Sequence, residues 1–234
     1  MITFNGRASN DPTLGIKAVV TIGRPLAPGA VDQYLEIPGV DGTFDMGYHL
    51  APGYIPVRLY LRSDSTTAER AHIREIASWL SPREVKPLIF ADETDKQYFA
   101  RRTGAISASG LVTRRFVDIT FFCPDPHAYA VSTKTTSPNQ GTAPTPVKIT
   151  ATMTAAADHL QIDLGDKHIR LETALTIGDE VVIDTAQGWV ALNGLDARQY
   201  VTHDSDLRLM LPVGAFELTA DNATLEILYR ERWL

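Results

Sequence analysis

The sequence predicts a mainly β protein of two units, and three observations carry that expectation. Apolar residues alternate with polar ones along much of the 234-residue chain, the period of two that belongs to strands with one buried face. Only one stretch carries a helical period. Residues 133–146 (TKTTSPNQGTAPTP) hold no aliphatic side chain larger than alanine, so they can neither build a core nor propagate a helix. That segment also divides the charge. Residues 1–133 carry 14 Lys+Arg against 14 Asp+Glu and residues 134–234 carry 8 against 14, so the whole net charge of −6 falls in the second part. The expected organisation is a first domain over 1–132, a linker over 133–146 and a second domain over 147–234.

Taken in order, Tyr54–Arg62 (YIPVRLYLR) sets Val57, Leu59 and Leu61 against Arg58, Tyr60 and Arg62, a strand with Pro56 near its entrance. The helix follows in STTAERAHIREIASWLSP, where Thr66 and Glu69 have capping-box spacing. Ile73, Ile76, Ala77 and Leu80 recur on one face until Pro82, and Glu69, Arg70, Arg74 and Glu75 fall largely on the other. PLIFADETDKQYFARR then reads as a hairpin: Leu88–Phe90 and Gln97–Ala100 flank an Asp-Glu-Thr-Asp-Lys turn too polar to bury, which should project. Arg114–Cys123 (RRFVDITFFC) is a strand rich in aromatic and β-branched residues.

Beyond residue 146 the signals are purely β, with turn residues every 8 to 12 positions as in a sandwich. The sharpest hairpin joins His159–Leu164 to Lys167–Leu171 through Gly165-Asp166, because Gly165 can supply the positive φ of a two-residue turn. Further strands are expected at Glu180–Asp184, Trp189–Leu192, Leu207–Leu211, Phe216–Thr219 and Ala223–Tyr229.

Composition narrows the function classes. At 44% hydrophobic and 21% charged the chain lies outside the disordered regime. One cysteine excludes an internal disulfide and a cysteine-rich zinc site. The N-terminus MITFNGRASNDP lacks the basic start and apolar run of a signal peptide, and no apolar run reaches membrane-spanning length, so a soluble protein made in a cytoplasm is expected. Neither half carries the basic surface a nucleic-acid binder needs.

Reactive chemistry is not expected either. In Phe121–Ala130 (FFCPDPHAYA), Cys123 ends an apolar strand, where a cysteine ordinarily acts as a small buried hydrophobe, and His127 lies beyond two prolines that stiffen the path. The stretch should end a strand and redirect the chain. The six histidines form no metal-ligand pair. Asp92, Glu93 and Asp95 lack EF-hand spacing, His203-Asp204-Ser205-Asp206 is a polar turn, and there is no phosphate-binding glycine loop. No catalytic residue, cofactor or metal site is expected. Trp189 and Tyr200 are candidates for stacking on a sugar ring, with core packing the better account of both.

The order of these parts, and above all the LIFADETDKQYFA hairpin and the FFCPDPHAYA exit, resembles the distal tail protein (Dit) family of long-tailed siphophages. The resemblance spans essentially the whole chain. It implies an N-terminal belt domain that closes six copies into a ring hub, and a galectin-like C-terminal sandwich radiating outward. The implied partners are the chain itself, the tail tube protein and a hub protein of the tail-associated lysin family, with a receptor-binding protein as a further one; the location is the virion's tail tip. Within that frame the charged hairpin Ala91–Arg102 is the expected ring contact, with Asp92, Glu93 and Asp95 set against Arg101 and Arg102. The competing readings are a carbohydrate-binding, lectin-like protein, and a hydrolase using two facing carboxylates. The sequence lacks the His-Asn-Arg…Trp-x-x-Glu cluster of a galectin sugar site, since Trp189 is followed by Val190, Ala191 and Leu192.

Overall fold

The computed structural model describes residues 1–21, 23–24, 27–111 and 114–234, and divides into two compact units, Met1–Ala128 and Tyr129–Trp233. Each has its own core.

In the first unit, β1 (Ile2–Phe4), β2 (Arg7–Ala8), β3 (Ile16–Thr21), β6 (Gly53–Arg62), β7 (Lys86–Phe90), β8 (Glu93–Leu111) and β9 (Arg114–Cys123) build one antiparallel sheet in the order β2-β1-β7-β8-β9-β6-β3. The strand expected at Tyr54–Arg62 runs as β6 with its alternation intact: Ile55, Val57, Leu59 and Leu61 are buried. The strand expected at Arg114–Cys123 is β9, which pairs along the whole of β6 from Gly53 opposite Cys123 to Arg62 opposite Arg114. Between β3 and β6 lie β4 (Ala30–Leu35) and β5 (Phe44–Leu50), which pair only with each other among the described residues.

The helix, α1 (Thr66–Trp79), is capped one residue earlier than the sequence suggests: the Ser65 hydroxyl accepts from the Ala68 N–H at 3.1 Å. Glu69 therefore takes no part in a capping box. It is buried and ion-paired with Arg115 of β9. The helix is rolled accordingly, and its buried residues are Glu69, Ile76 and Trp79, with Leu80 just beyond, while Ile73 and Ala77 are exposed. The indole of Trp79 decides this orientation, since its ring packs edge-on against Phe4 and its N–H donates to the Phe4 carbonyl at 3.0 Å. Gly15 lies against the same helix in left-handed backbone (φ 63°), where a Cβ would collide with the His72 ring.

In the second unit the elements are β10 (Ala128–Ala130, which begins at the boundary), β11 (Thr145–Met153), β12 (Ala157–Leu164), β13 (Lys167–Leu175), β14 (Glu180–Asp184), β15 (Trp189–Leu192), β16 (Leu195–Asp196), β17 (Met210–Leu211), β18 (Thr219–Ala220), β19 (Ala223–Tyr229) and β20 (Arg232–Trp233). One sheet runs β16-β15-β14-β11-β17 with β19 also on β11; the other is β13-β12-β18. Val147, Ile149, Ala151 and Met153 of β11 share a core with Leu160 and Ile162 of β12, so the two sheets form a sandwich. The β12–β13 hairpin turns at Gly165-Asp166 with Gly165 at φ 59°, as its sequence demands. Of the strands expected at Leu207–Leu211 and Phe216–Thr219, only Met210–Leu211 and Thr219–Ala220 form.

Residues 133–146, expected as a linker, fold into this second unit. Asn139 is buried, and its amide donates to the Pro212 carbonyl at 3.1 Å. Glu231, also buried, accepts from the Lys134 ammonium at 2.6 Å and the Gln140 N–H at 2.7 Å. The segment has no apolar bulk, but its polar groups satisfy those of the sandwich's last strands.

Candidate assembly interface

The charged hairpin expected from the sequence turns earlier than its composition suggests. Its turn is the two-residue Ala91-Asp92, with Phe90 opposite Glu93, so residues expected at a polar tip begin β8 instead. β7 is an inner strand between β1 and β8, and the Ala91 N–H donates to the Met1 carbonyl at 3.0 Å. The acids of this turn are already engaged. Arg24 reaches Asp92 at 2.5 Å and Glu93 at 3.2 Å while stacking 4.8 Å over Phe90; Lys96 reaches Glu93 at 2.6 Å and Asp95 at 3.9 Å. Hydrogen bonding to Glu93 raises the Lys96 pKa. Of the two arginines, Arg102 donates to the Leu80 carbonyl at 3.1 Å, tying β8 to the end of α1, and Arg101 lies 4.8 Å over the Phe122 ring.

The hairpin left without cover is β4–β5. Register places Ala30 opposite Leu50, Asp32 opposite Tyr48, Tyr34 opposite Asp45 and Leu35 opposite Phe44, with one extra residue of β5 between Tyr48 and Asp45, so the bulge gathers Ala30, Asp32, Tyr34, Asp45, Tyr48 and Leu50 on one face. The other carries Val31, Gln33, Leu35, Phe44 and His49, with Gln33 and His49 in contact at 3.3 Å. Both faces are bare: Tyr34 and Tyr48 are 60% and 66% exposed on the first, and Leu35 and Phe44 are 53% and 52% exposed on the second. A lone two-stranded ribbon is marginal in water, and one with bare aromatic side chains and two open edges is built for a partner. Its signal was present in FDMGYHL, where Phe44, Met46, Tyr48 and Leu50 alternate with Asp45, Gly47 and His49.

A second exposed surface is the outer face of the sheet. There Tyr54, Arg58 and Tyr60 of β6 lie beside Phe116, Asp118 and Phe122 of β9, with Arg101 at the border. Arg58 grips Asp118 through two hydrogen bonds, at 2.6 and 2.9 Å, and this holds the Asp118 carboxyl below its usual range. Tyr54–Phe122 and Tyr60–Phe116 pack with ring centroids 5.4 Å apart. Tyr54 and Phe116 nevertheless remain exposed.

The nucleophile and acid-base side chains of the reactive-looking stretches have structural work. Cys123 is buried, and burial foremost, with Asp125 second, pushes its thiol up to about 12, where it cannot act as a nucleophile near neutral pH. Asp125 closes the Pro-flanked turn by accepting the His127 N–H at 3.0 Å and pairing with its ring. In the His203–Asp206 turn, Asp204 meets His168, Asp206 meets Lys167 at 2.7 Å, and the Ser205 hydroxyl accepts from the Arg170 N–H at 2.9 Å, all stapling the turn to β13. Trp189 is half-buried at the start of β15 and Tyr200 partly exposed on the 3-10 turn Arg198–Tyr200. Among the described residues no cluster of three His, Cys, Asp or Glu could hold a metal ion, and no helix is long and apolar enough to cross a membrane.

Two family models match in tandem: the phage tail protein RIFT-related domain over residues 10–123 and the siphovirus-type tail component, C-terminal domain, over residues 140–233. The distal tail protein of Bacillus phage SPP1 is 26% identical over 212 residues, 85% of this chain and 83% of that protein. The chain belongs to the siphophage distal tail protein family. Its fold agrees: the crystal structure of SPP1 Dit, described as a paradigm of the hub adsorption apparatus in phages infecting Gram-positive bacteria, superposes with a TM-score of 0.79 at 19% identity, covering 100% of this chain and 98% of that one. A chain of the phage P2 baseplate in its activated, calcium-bound conformation gives 0.51 at 8% identity, over 91% and 90% of the two chains, a likeness of fold alone. The chain is a phage tail component of the distal tail and baseplate hub family.

Proposed function

We propose that six copies of this chain close into a ring at the end of the tail tube, synthesised in the host cytoplasm and carried in the virion, where it joins the tube to a hub protein of the tail-associated lysin kind. The first unit forms the ring. The second, a galectin-like sandwich, serves as a platform for tail-tip partners, a receptor-binding protein among them. The observation that carries this reading is the bare arm β4–β5, whose large apolar side chains stand in water on a single chain. A closed ring uses head-to-tail contacts, so each copy must present two different patches. The arm is one and the arginine-aromatic face of the sheet is available as another. The role is structural rather than enzymatic, in keeping with a buried thiol held at about 12 and polar turns spent on internal ties.

Negative-stain electron microscopy of the purified protein tests the reading. Six-fold rings are expected, free or on tail tube protein added to the grid. Single two-lobed particles at every concentration, with and without tube protein, would overturn it.

A further inference from the structure

The dipeptide Asn-Gly occurs twice in the sequence, at Asn5-Gly6 and Asn193-Gly194, and the two copies build the same turn. Each is the two-residue loop of a short hairpin, with Phe4 opposite Arg7 in β1–β2 and Leu192 opposite Leu195 in β15–β16. The central residues lie in left-handed backbone, at φ 50° and 76° in the first turn and 49° and 81° in the second. That is the type I′ geometry this dipeptide favours. β2 and β16 are two-residue strands at sheet edges, so both turns have equally little to hold them shut. Neither glycine is crowded, since a Cβ at Gly6 or Gly194 would meet nothing within 4 Å.

The asparagine side chains differ. The Asn193 amide is held at both ends: its nitrogen donates to Asp179 at 2.9 Å and its oxygen accepts the Glu180 N–H at 2.9 Å, which ties the turn to the start of β14. Asn5 is anchored only through its main chain, whose N–H donates to the Pro87 carbonyl at 2.9 Å. Its side chain is exposed and makes no hydrogen bond among the described residues. A free asparagine amide beside a glycine nitrogen is a reactive pair, because no side chain shields that nitrogen.

We infer that Asn5 is a site of spontaneous deamidation and that Asn193, in the same dipeptide and the same turn, is protected by its tether. When the β1–β2 turn opens, the Gly6 nitrogen gives its proton to base and attacks the Asn5 Cγ. A C–N bond forms, the Cγ–Nδ2 bond breaks, and the amide nitrogen leaves as ammonia after taking a proton from solvent, which closes a five-membered succinimide. Water then adds to one or the other imide carbonyl, and cleavage of that C–N bond leaves aspartate or isoaspartate with one new negative charge. Isoaspartate carries the main chain through the side-chain carbon and adds a methylene to a turn that the Thr3–Ala8 and Phe4–Arg7 pairs require to be two residues long. The residues on either side are anchors: the Phe4 carbonyl receives the Trp79 indole N–H, and Arg7 braces β2 to Asp11 at 2.8 Å and Glu75 at 3.3 Å. Aged copies therefore loosen first at this corner of the first unit. A tail component is not replaced after assembly, so the product accumulates with the age of the particle. At Asn193 the two side-chain bonds must break before the ring can close, which at ordinary strength slows the reaction about 30-fold.

Peptide mapping by mass spectrometry of the full-length protein, aged in solution at pH 6 and at pH 8, tests this. Tryptic peptides 1–7 and 171–198 each contain one asparagine and report the two sites. In the native protein, conversion of amide to acid is expected in peptide 1–7, faster at pH 8 than at pH 6, with part of the product labelled by isoaspartyl methyltransferase; peptide 171–198 should lag about 30-fold. In urea the two should convert at comparable rates, because the fold and not the flanking residues sets the difference. Asp179→Ala removes half of the tether and should narrow the native gap. Asn5→Gln should abolish the reaction in peptide 1–7 and keep the unfolding temperature constant with age, while that of the wild type falls. Equal native conversion at both sites would overturn the inference, as would an Asn5 that stays intact in the native protein while it converts in urea. An aged wild type rich in isoaspartate that unfolds like the fresh protein would overturn the loosening of the β1–β2 corner.

Discussion

Two hairpins of the first unit have opposite fates. The β7–β8 hairpin carries the most charged turn of its region, and yet it is the interior of the sheet, with its acids held by Arg24 and Lys96 and its turn bonded to Met1. The β4–β5 hairpin carries aromatic side chains on both of its faces, Tyr34 and Tyr48 on one and Phe44 on the other, and yet it is bare. Charge in a turn marks only a place where water or an ion pair can reach. Uncovered apolar alternation marks a place where the single chain is incomplete.

That contrast can be broken by mutation. Leu88→Ala in β7 removes a fully buried side chain and should cost about 3 kcal/mol of stability, read by chemical denaturation. Met46→Ala on the arm should change the stability of the single copy by less than about 0.5 kcal/mol while weakening assembly. A stability loss at Met46 comparable to that at Leu88 would mean that the arm packs on its own copy. Next in size, Glu69→Gln leaves Arg115 without its anionic partner beneath α1 and should cost about 3 kcal/mol, less whatever water recovers at the partly exposed guanidinium.

Cys123 sharpens the distinction between buried and bare. Its thiol should resist iodoacetamide at pH 8 in the native protein and react on unfolding. Because the folded pKa of about 12 lies above the ordinary 9.0, folding retains a proton that the unfolded chain gives up; the stabilisation is full below pH 9 and is lost as pH rises through about 12. The smallest effect is expected at Asp196 in the second unit. Hydrogen bonds from Arg198, side chain first, lower its carboxyl to about 2, so its contribution is present above the ordinary 3.8 and lost as pH falls through about 2. Arg198→Ala should return its titration, followed by carboxyl NMR shifts, toward the usual range.

Much of the fold was legible because burial leaves a period. β6 and β9 kept the alternation that predicted them, and Gly165-Asp166 set its hairpin because only its backbone geometry mattered. The family resemblance was legible in the order of such parts. Three features were not, each for a physical reason. The roll of α1 depends on one indole hydrogen bond to Phe4 and one ion pair to Arg115, both long-range, so Ile73 and Ala77 looked as buried as Ile76. The segment 133–146 looked like a linker because it has no apolar bulk, but Asn139 and the groups around Glu231 hold it by hydrogen bonds that composition does not register. The turn of the β7–β8 hairpin is held by Arg24, 68 residues upstream of Asp92, a partner no local pattern could supply.

The measurement that bears most directly on the arm as the assembly element is the native mass of the wild-type protein beside Phe44→Asp/Tyr48→Asp across one concentration series. The account predicts that the wild type reaches six times its 25.7 kDa chain mass while the variant stays at one, with identical circular dichroism. Equal masses for the two proteins at every concentration would contradict it.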